Sequence, residues 1–229
     1  MKKTISILLI IALCFAFVAC EKEPAADVSG AEGENSGVVS SEAAQPLADI
    51  PASPDGEYAV MEFEGYGRIL MEFYPEEAPI TVANFKKLVS EGFYDGIIIH
   101  RVVPGFVIQG GDPTGTGYDG SDEKIKGEFA ANGVENNVNH LRGVLSMARA
   151  GNDMNSASSQ FFIVLSDRAA YSLNGQYAGF GKVLSGMDAV DKIAAVSCDA
   201  NDKPLTDVVI AKAILCDRAA AEAAFPDAF

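Results

Sequence analysis

Ile99-His100-Arg101-Val102-Val103-Pro104-Gly105-Phe106-Val107-Ile108-Gln109-Gly110-Gly111-Asp112 carries two short runs rich in β-branched and aromatic residues, Ile97 to Val103 and Phe106 to Gln109, joined through a Pro-Gly pair. Runs this short, bounded by turn formers, read as strands. The same pattern extends outward in both directions. Tyr58 to Phe63 and Arg68 to Phe73 flank Glu64-Gly65-Tyr66-Gly67 as a hairpin, and Gly143 to Ala148, Phe161 to Leu165, Gly179 to Leu184 and Leu205 to Leu215 are further strand candidates. Two segments depart from it. After Ala78-Pro79, Val82, Phe85, Leu88 and Val89 recur at helical spacing with Lys86, Lys87 and Glu91 opposite and Gly92 as a stop, and Met187 to Val196 is a second, shorter amphipathic helix. Many short strands with only two helices imply a mainly β fold, a closed or nearly closed antiparallel barrel.

Phe161 and Phe162 are neighbours on one strand, so one faces the core and the other the opposite side. An outward phenylalanine is what a binding patch needs. Gly110 to Arg142 is long, polar and punctuated by glycine, and a loop of that length in a small domain is usually functional.

The chain carries 17 Lys+Arg against 32 Asp+Glu, a net charge of −15, which argues against any nucleic-acid partner. With 48% hydrophobic and 21% charged residues, most of it is ordinary globular material able to fill one core. Four cysteines and two histidines, with no C-x-x-C or H-x-x-x-H spacing, exclude a structural zinc site, and no metal is expected.

The N-terminus reads as an address. Lys2 and Lys3 precede an apolar run from Ile5 to Ala19, shorter than the ~20 residues a bilayer span needs. Phe17-Val18-Ala19-Cys20 resembles a bacterial lipobox, with Phe17 where leucine is usual, so residues 1–19 are expected to be a lipoprotein signal and Cys20 the lipidation site. The alternative is a plain secretory signal. Glu21 to Gly56 holds eight acids against the single Lys22 and is rich in Ala, Ser, Gly and Pro, so residues 20–56 are expected to form a flexible acidic tether. Residues 57–229 are left as the folded domain, extracytoplasmic and held to the membrane by lipid. Within it Cys198 and Cys216 could pair or remain free thiols.

Several catalytic motifs fail. Gly115-Thr116-Gly117-Tyr118-Asp119-Gly120 fits G-x-G-x-x-G, but no βαβ unit surrounds it, so dinucleotide binding is not supported. There is no P-loop and no G-x-S-x-G. His100, in an apolar run, reads as a hydrogen-bonded core residue, and His140 as part of a polar loop. With no nucleophile beside a base, a reaction needing neither fits better.

The opening stretch, followed by Leu145-Ser146-Met147-Ala148-Arg149-Ala150, Ser158-Ser159-Gln160-Phe161-Phe162-Ile163, Leu173-Asn174-Gly175-Gln176-Tyr177 and Phe180-Gly181-Lys182-Val183, closely resembles the cyclophilin family of peptidyl-prolyl cis-trans isomerases. The likeness runs in order from Glu57 to about Leu215. It implies an eight-stranded antiparallel closed barrel capped by two α-helices, with the substrate groove on its outer wall.

The resemblance also assigns residues. Arg101 is implied to aim a donor at the prolyl nitrogen, with Gln109 holding a substrate carbonyl beside it. Phe106, Val107, Phe162, Leu173 and Tyr177 are implied to seat the proline ring. Ala148 and Arg149 are implied to fix the peptide through their backbone, with Gln160 beside them and Gly115 and Thr116 lining the subsite for residues before proline. Ser172 stands where many cyclosporin-sensitive members carry tryptophan, which implies weak cyclosporin binding. The expected protein is a monomeric isomerase without cofactor, acting on proline-containing segments of exported proteins. A peptide-binding holdase on the same fold is the alternative.

Overall fold

The computed structural model describes residues 47–229. The signal, Cys20 and most of the acidic tether lie outside the described residues. Eight antiparallel strands form one curled sheet: β1 (Tyr58–Phe63), β2 (Gly67–Phe73), β3 (Ile99–Val103), β4 (Val107–Gly110), β5 (Val144–Met147), β6 (Phe161–Val164), β7 (Ala178–Ser185) and β8 (Ile210–Cys216). Their spatial order is β3-β4-β6-β5-β7-β2-β1-β8.

The edges of this order meet only at a bridge between Ile98 and Val209. There Ile99 N–H donates to Val208 O at 2.8 Å and Ile210 N–H to Ile97 O at 2.8 Å. A closed barrel was the expectation; the sheet is instead a curled one whose edges touch without a shared ladder. The cause lies in the strand expected from Leu205, which begins only at Ile210. Pro204 lacks an amide donor, and residues 199–208 run as a loop across the gap.

Four α-helices accompany the sheet rather than two: α1 (Pro79–Ser90), α2 (Ala170–Leu173), α3 (Met187–Ala194) and α4 (Arg218–Ala224). None among the described residues is long and apolar enough to cross a membrane. α1 starts with Pro79 and has no side-chain cap of its own. Glu128 supplies one from the long loop, accepting from Ile80 N at 3.0 Å, Thr81 N at 2.8 Å and Thr81 Oγ1 at 2.7 Å. A carboxylate there also meets the positive end of the helix. Phe85 of α1 then reaches into the sheet, its ring 5.1 Å from Phe180, 5.6 Å from Phe161 and 5.0 Å from Tyr94.

The inner face of the sheet, with α1 and α3, makes the main core. Two patches on the outer face are apolar as well. Over β1, β2 and β8, the patch of Tyr58, Val60, Leu70 and Cys216 is covered by Leu47, Ile50, Ala220 and Ala221. The tail after Asp217 therefore folds, with Asp217 capping α4 through Ala220 N at 2.9 Å and Phe229 lying edge-on to Tyr58 at 5.5 Å. Residues before Glu57 pack on the domain too: Ser53 N–H donates to Leu215 O at 2.8 Å, and Leu47 and Ile50 are buried. The second outer patch lies over β4, β5 and β6: Val107, Val144, Ala148, Phe162, Val164, Ala169 and Leu173. Cys198 and Cys216 are both free thiols.

Candidate active site

Register across four strands builds the site. Arg101 of β3 is paired with Gln109 of β4, Gln109 with Phe162 of β6, and Phe162 with Ser146 of β5. Directly paired residues project to the same side of a sheet, so the four form a row on the outer wall. The next row, Val102, Ile108, Ile163 and Leu145, faces the core. Phe161 sits in that core and Phe162 in the outer patch, as the adjacent pair requires.

Arg101, Phe106, Val107, Gln109, Ala148, Arg149, Phe162, Leu173 and Tyr177 line one notch of about 190 Å³. Its floor is apolar: Val107, Phe162 and Leu173 are buried, and Tyr177 meets Phe162 edge-on at 5.5 Å. Its rim is polar. Arg101 Nη1 donates to Gln109 Oε1 at 3.3 Å, Gln109 Nε2 to Gln160 Oε1 at 2.9 Å, and Gln160 Nε2 to Gly117 O at 3.1 Å and Asp119 O at 2.7 Å. This relay ties the guanidinium to the long loop.

A second, polar cavity of about 480 Å³ adjoins the notch and shares Gln109, Ala148 and Arg149 with it. Gln160 lies on its wall, together with Tyr118, Asp119, Ser121, Lys124 and Ser158. Gly115 and Thr116 do not line either space. Thr116 is exposed, its N and Oγ1 donating to Asp112 Oδ2 at 3.1 and 3.2 Å, while Gly115 packs against Ile98. Arg149, expected to contribute through its backbone, also packs its side chain: the guanidinium stacks 4.9 Å from the Tyr177 ring centre and 5.1 Å from that of Phe129. Its Nε donates to Gln176 O at 3.2 Å.

The notch admits one small apolar ring with a charged donor at its edge. A family model described as cyclophilin type peptidyl-prolyl cis-trans isomerase/CLD matches residues 58–215. The chain belongs to the cyclophilin family.

A peptidyl-prolyl cis-trans isomerase of Schizosaccharomyces pombe is 44% identical over 149 residues, covering 65% of this chain and 92% of that protein. Peptidyl-prolyl cis-trans isomerase B of Bacillus subtilis is 51% identical over 125 residues, covering 55% of this chain and 82% of its own. A crystal structure of a Cryptosporidium parvum cyclophilin type isomerase in the presence of the dipeptide Ala-Pro superposes with a TM-score of 0.62 at 31% identity, over 69% of this chain and 98% of that one. This cyclophilin is accordingly a peptidyl-prolyl cis-trans isomerase.

Two supports of its site, Asp112 and His140, were given no role in it by the sequence reading. Asp112, the last residue of the opening stretch, accepts from Thr114 N and Oγ1, both at 2.8 Å, and from the N–H groups of Gly117 at 2.6 Å and Asp119 at 3.3 Å. Asp followed at short range by two threonines and glycines was the available signal. His140 lies in the loop, as read, but is fully buried there, stacked behind Phe162 at 6.3 Å. Asn174 Oδ1 accepts from His140 N at 2.8 Å and lies 3.0 Å from Nδ1, and Ser146 Oγ lies 2.9 Å from Nε2. An amide oxygen only accepts, so this network assigns the proton to Nδ1 and leaves Nε2 to accept from Ser146. Burial lowers the His140 pKa, the Asn174 hydrogen bond opposing it, which favours the neutral ring. His100 is also buried, but neither ring nitrogen has a hydrogen-bond partner, contrary to its reading as a bonded core residue. Among the described residues no three His, Cys, Asp or Glu side chains gather where a metal ion could sit.

Proposed function

We propose that this cyclophilin works as a monomer outside the cytoplasm, held to the membrane by lipid on Cys20, and isomerises X-Pro bonds of exported proteins without a covalent intermediate or cofactor. The observation that carries the chemical part is Arg101 at the rim of an apolar notch floored by Phe162. An X-Pro bond crosses a barrier of about 20 kcal/mol because the nitrogen lone pair is shared with the carbonyl. Twisting the bond localises that lone pair, so a donor aimed at the prolyl nitrogen binds the twisted form better than either planar isomer. Arginine remains charged at any working pH and presents its donors in a fixed fork. A proline ring seated over Phe162 would displace water from the notch, which strengthens that contact and orients the ring.

A rate gain of about 10⁵ requires roughly 7 kcal/mol of differential binding, more than one donor supplies. Gln109 holding a substrate carbonyl, and the peptide lying along Ala148 and Arg149, contribute the rest through orientation. A proline-containing tetrapeptide assay tests the reading. Arg101→Ala is expected to lose about a hundredfold or more in kcat/KM with an unchanged circular dichroism spectrum. Full turnover in that variant overturns the assignment.

The polar cavity beside the notch favours a second reading, a holdase that grips client segments. Peptide affinity without turnover in the wild type decides for it. The export signal and acidic tether, which support the location, are tested separately. Cys20→Ser is expected to abolish palmitate labelling and move the protein out of the membrane fraction, and an unchanged fractionation counts against lipidation.

A further inference from the structure

Across the gap between β3 and β8, residues 199–208 lie where a strand would pair. Val102 N–H donates to Asp202 O at 2.8 Å, so the loop takes up a backbone donor of the strand that carries Arg101. The loop is held in shape by Asp199, whose Oδ1 accepts from Asn201 N at 2.8 Å and Lys203 N at 3.0 Å. Asp202 is the only non-glycine residue with positive φ among the described residues, at +65°. Asp tolerates that left-handed conformation better than most side chains, yet it is costly, and such residues cluster at functional sites. The turn brings Asp202 Oδ2 to 3.7 Å from Arg101 Nε.

We propose that Asp202 is a positioning residue for Arg101. Gln109 engages Nη1 and Asp202 faces Nε, so two corners of the planar guanidinium are restrained from opposite sides. Restraining the fork matters because the donor has to meet the prolyl nitrogen only when the imide is twisted. Lys203, next in the chain, donates from Nζ to Gly115 O at 3.4 Å and ties the same loop to the one that holds Gln160. The Arg101 and Asp202 side chains are 39% and 48% exposed, so the pair adds little to stability and its effect falls on orientation. The inference rests on Arg101 being the donor to the twisted imide.

The experiment is the tetrapeptide assay on Asp202→Asn and Asp202→Gly, each also combined with Arg101→Ala. Asparagine keeps the left-handed turn and removes the charge; glycine relieves the turn and removes the side chain. Both single variants are expected to lose about three- to fivefold in kcat/KM, the scale of a half-exposed ion pair. The loss falls in kcat, with KM within about twofold. It narrows as ionic strength rises, and Asp202→Asn adds nothing in the Arg101→Ala background. A loop that merely supports the fold would give the same loss in both backgrounds, and that result overturns the inference. So does wild-type kcat in both single variants. If Arg101→Ala loses turnover while the Asp202 variants do not, only the positioning role falls; if Arg101→Ala keeps turnover, the reading beneath it falls too.

Discussion

Asp112 shows how one side chain outside the notch sets its rim. Burial raises the pKa of this carboxyl, but the Thr114 backbone and hydroxyl and the Asp119 and Gly117 amides donate to it and together bring it down to about 2. A folded value below the unfolded one means that the carboxylate stabilises the protein above about pH 4, and that this is lost as pH falls toward about 2. The carbonyls of Gly117 and Asp119, in the loop that Asp112 gathers, receive Gln160, which in turn holds Gln109 and, through it, Arg101. Asp112→Asn would turn an amide donor toward backbone donors. The expected outcome is about 2 kcal/mol less stability at neutral pH, read by urea unfolding, and a lower kcat/KM in the folded variant. Wild-type values for both would show that the loop shapes itself without this carboxylate. Arg101, Gln109 and Phe162 were legible because they stand in contiguous motifs. Gly115 and Thr116 line neither cavity because their loop curls around the buried Asp112 carboxylate, a contact that spacing does not reveal. Arg149 was read through its backbone because nothing local foretells that Phe129 and Tyr177 would sandwich its guanidinium.

At the level of elements, the strands were legible wherever a β-rich run ended at Gly, Pro or Asn, and the two longer helices wherever apolar residues kept a helical period. What remained hidden was which surfaces would be covered. Tyr58-Ala59-Val60-Met61-Glu62-Phe63 is buried on both faces, with Ala59, Met61 and Phe63 in the main core and Tyr58 and Val60 beneath the tail. Such a run signals a strand with partners on each side without naming them. The partners are weak signals in themselves: an Ala-rich tail that forms α4, and two residues, Leu47 and Ile50, at the end of an acidic stretch. The late start of β8 was equally unreadable, since Leu205 to Val209 has strand-like composition yet is displaced by Pro204 and the turn around Asp202. The two outer patches thereby acquire different fates. One is sealed by residues 47–50 and the C-terminal tail, and the other keeps a notch beside Arg101. The cap on α1 follows the same logic, because Glu128 lies 47 residues from Thr81 in sequence and no local capping motif announces it.

For the molecule as a whole, the pH dependence of folding is governed near neutrality by very few groups. The chain has two histidines, and both are buried. Burial lowers the pKa of His100, with Asp112 opposing and Arg101 and Lys203 reinforcing, and burial likewise lowers that of His140. In the unfolded chain both titrate near about 6.5, so below that pH the unfolded state binds more protons than the folded one. Stability therefore falls with falling pH, by up to about 1.4 kcal/mol per pH unit for each histidine, until the lowered folded values are reached. Urea unfolding at a series of pH values between about 7.5 and 5.5 reads this slope directly. His100→Phe, which puts an apolar ring where two nitrogens have no partner, is expected to remove one share of the slope and keep the other. His140→Gln should remove the second share, with a loss of stability at every pH because Phe162 loses the ring behind it. A wild-type curve that stays level across that range would mean that the rings take up protons in the fold as readily as in the unfolded chain. The tautomer drawn from Asn174 and Ser146, and with it the neutral support behind Phe162, would then have to be abandoned.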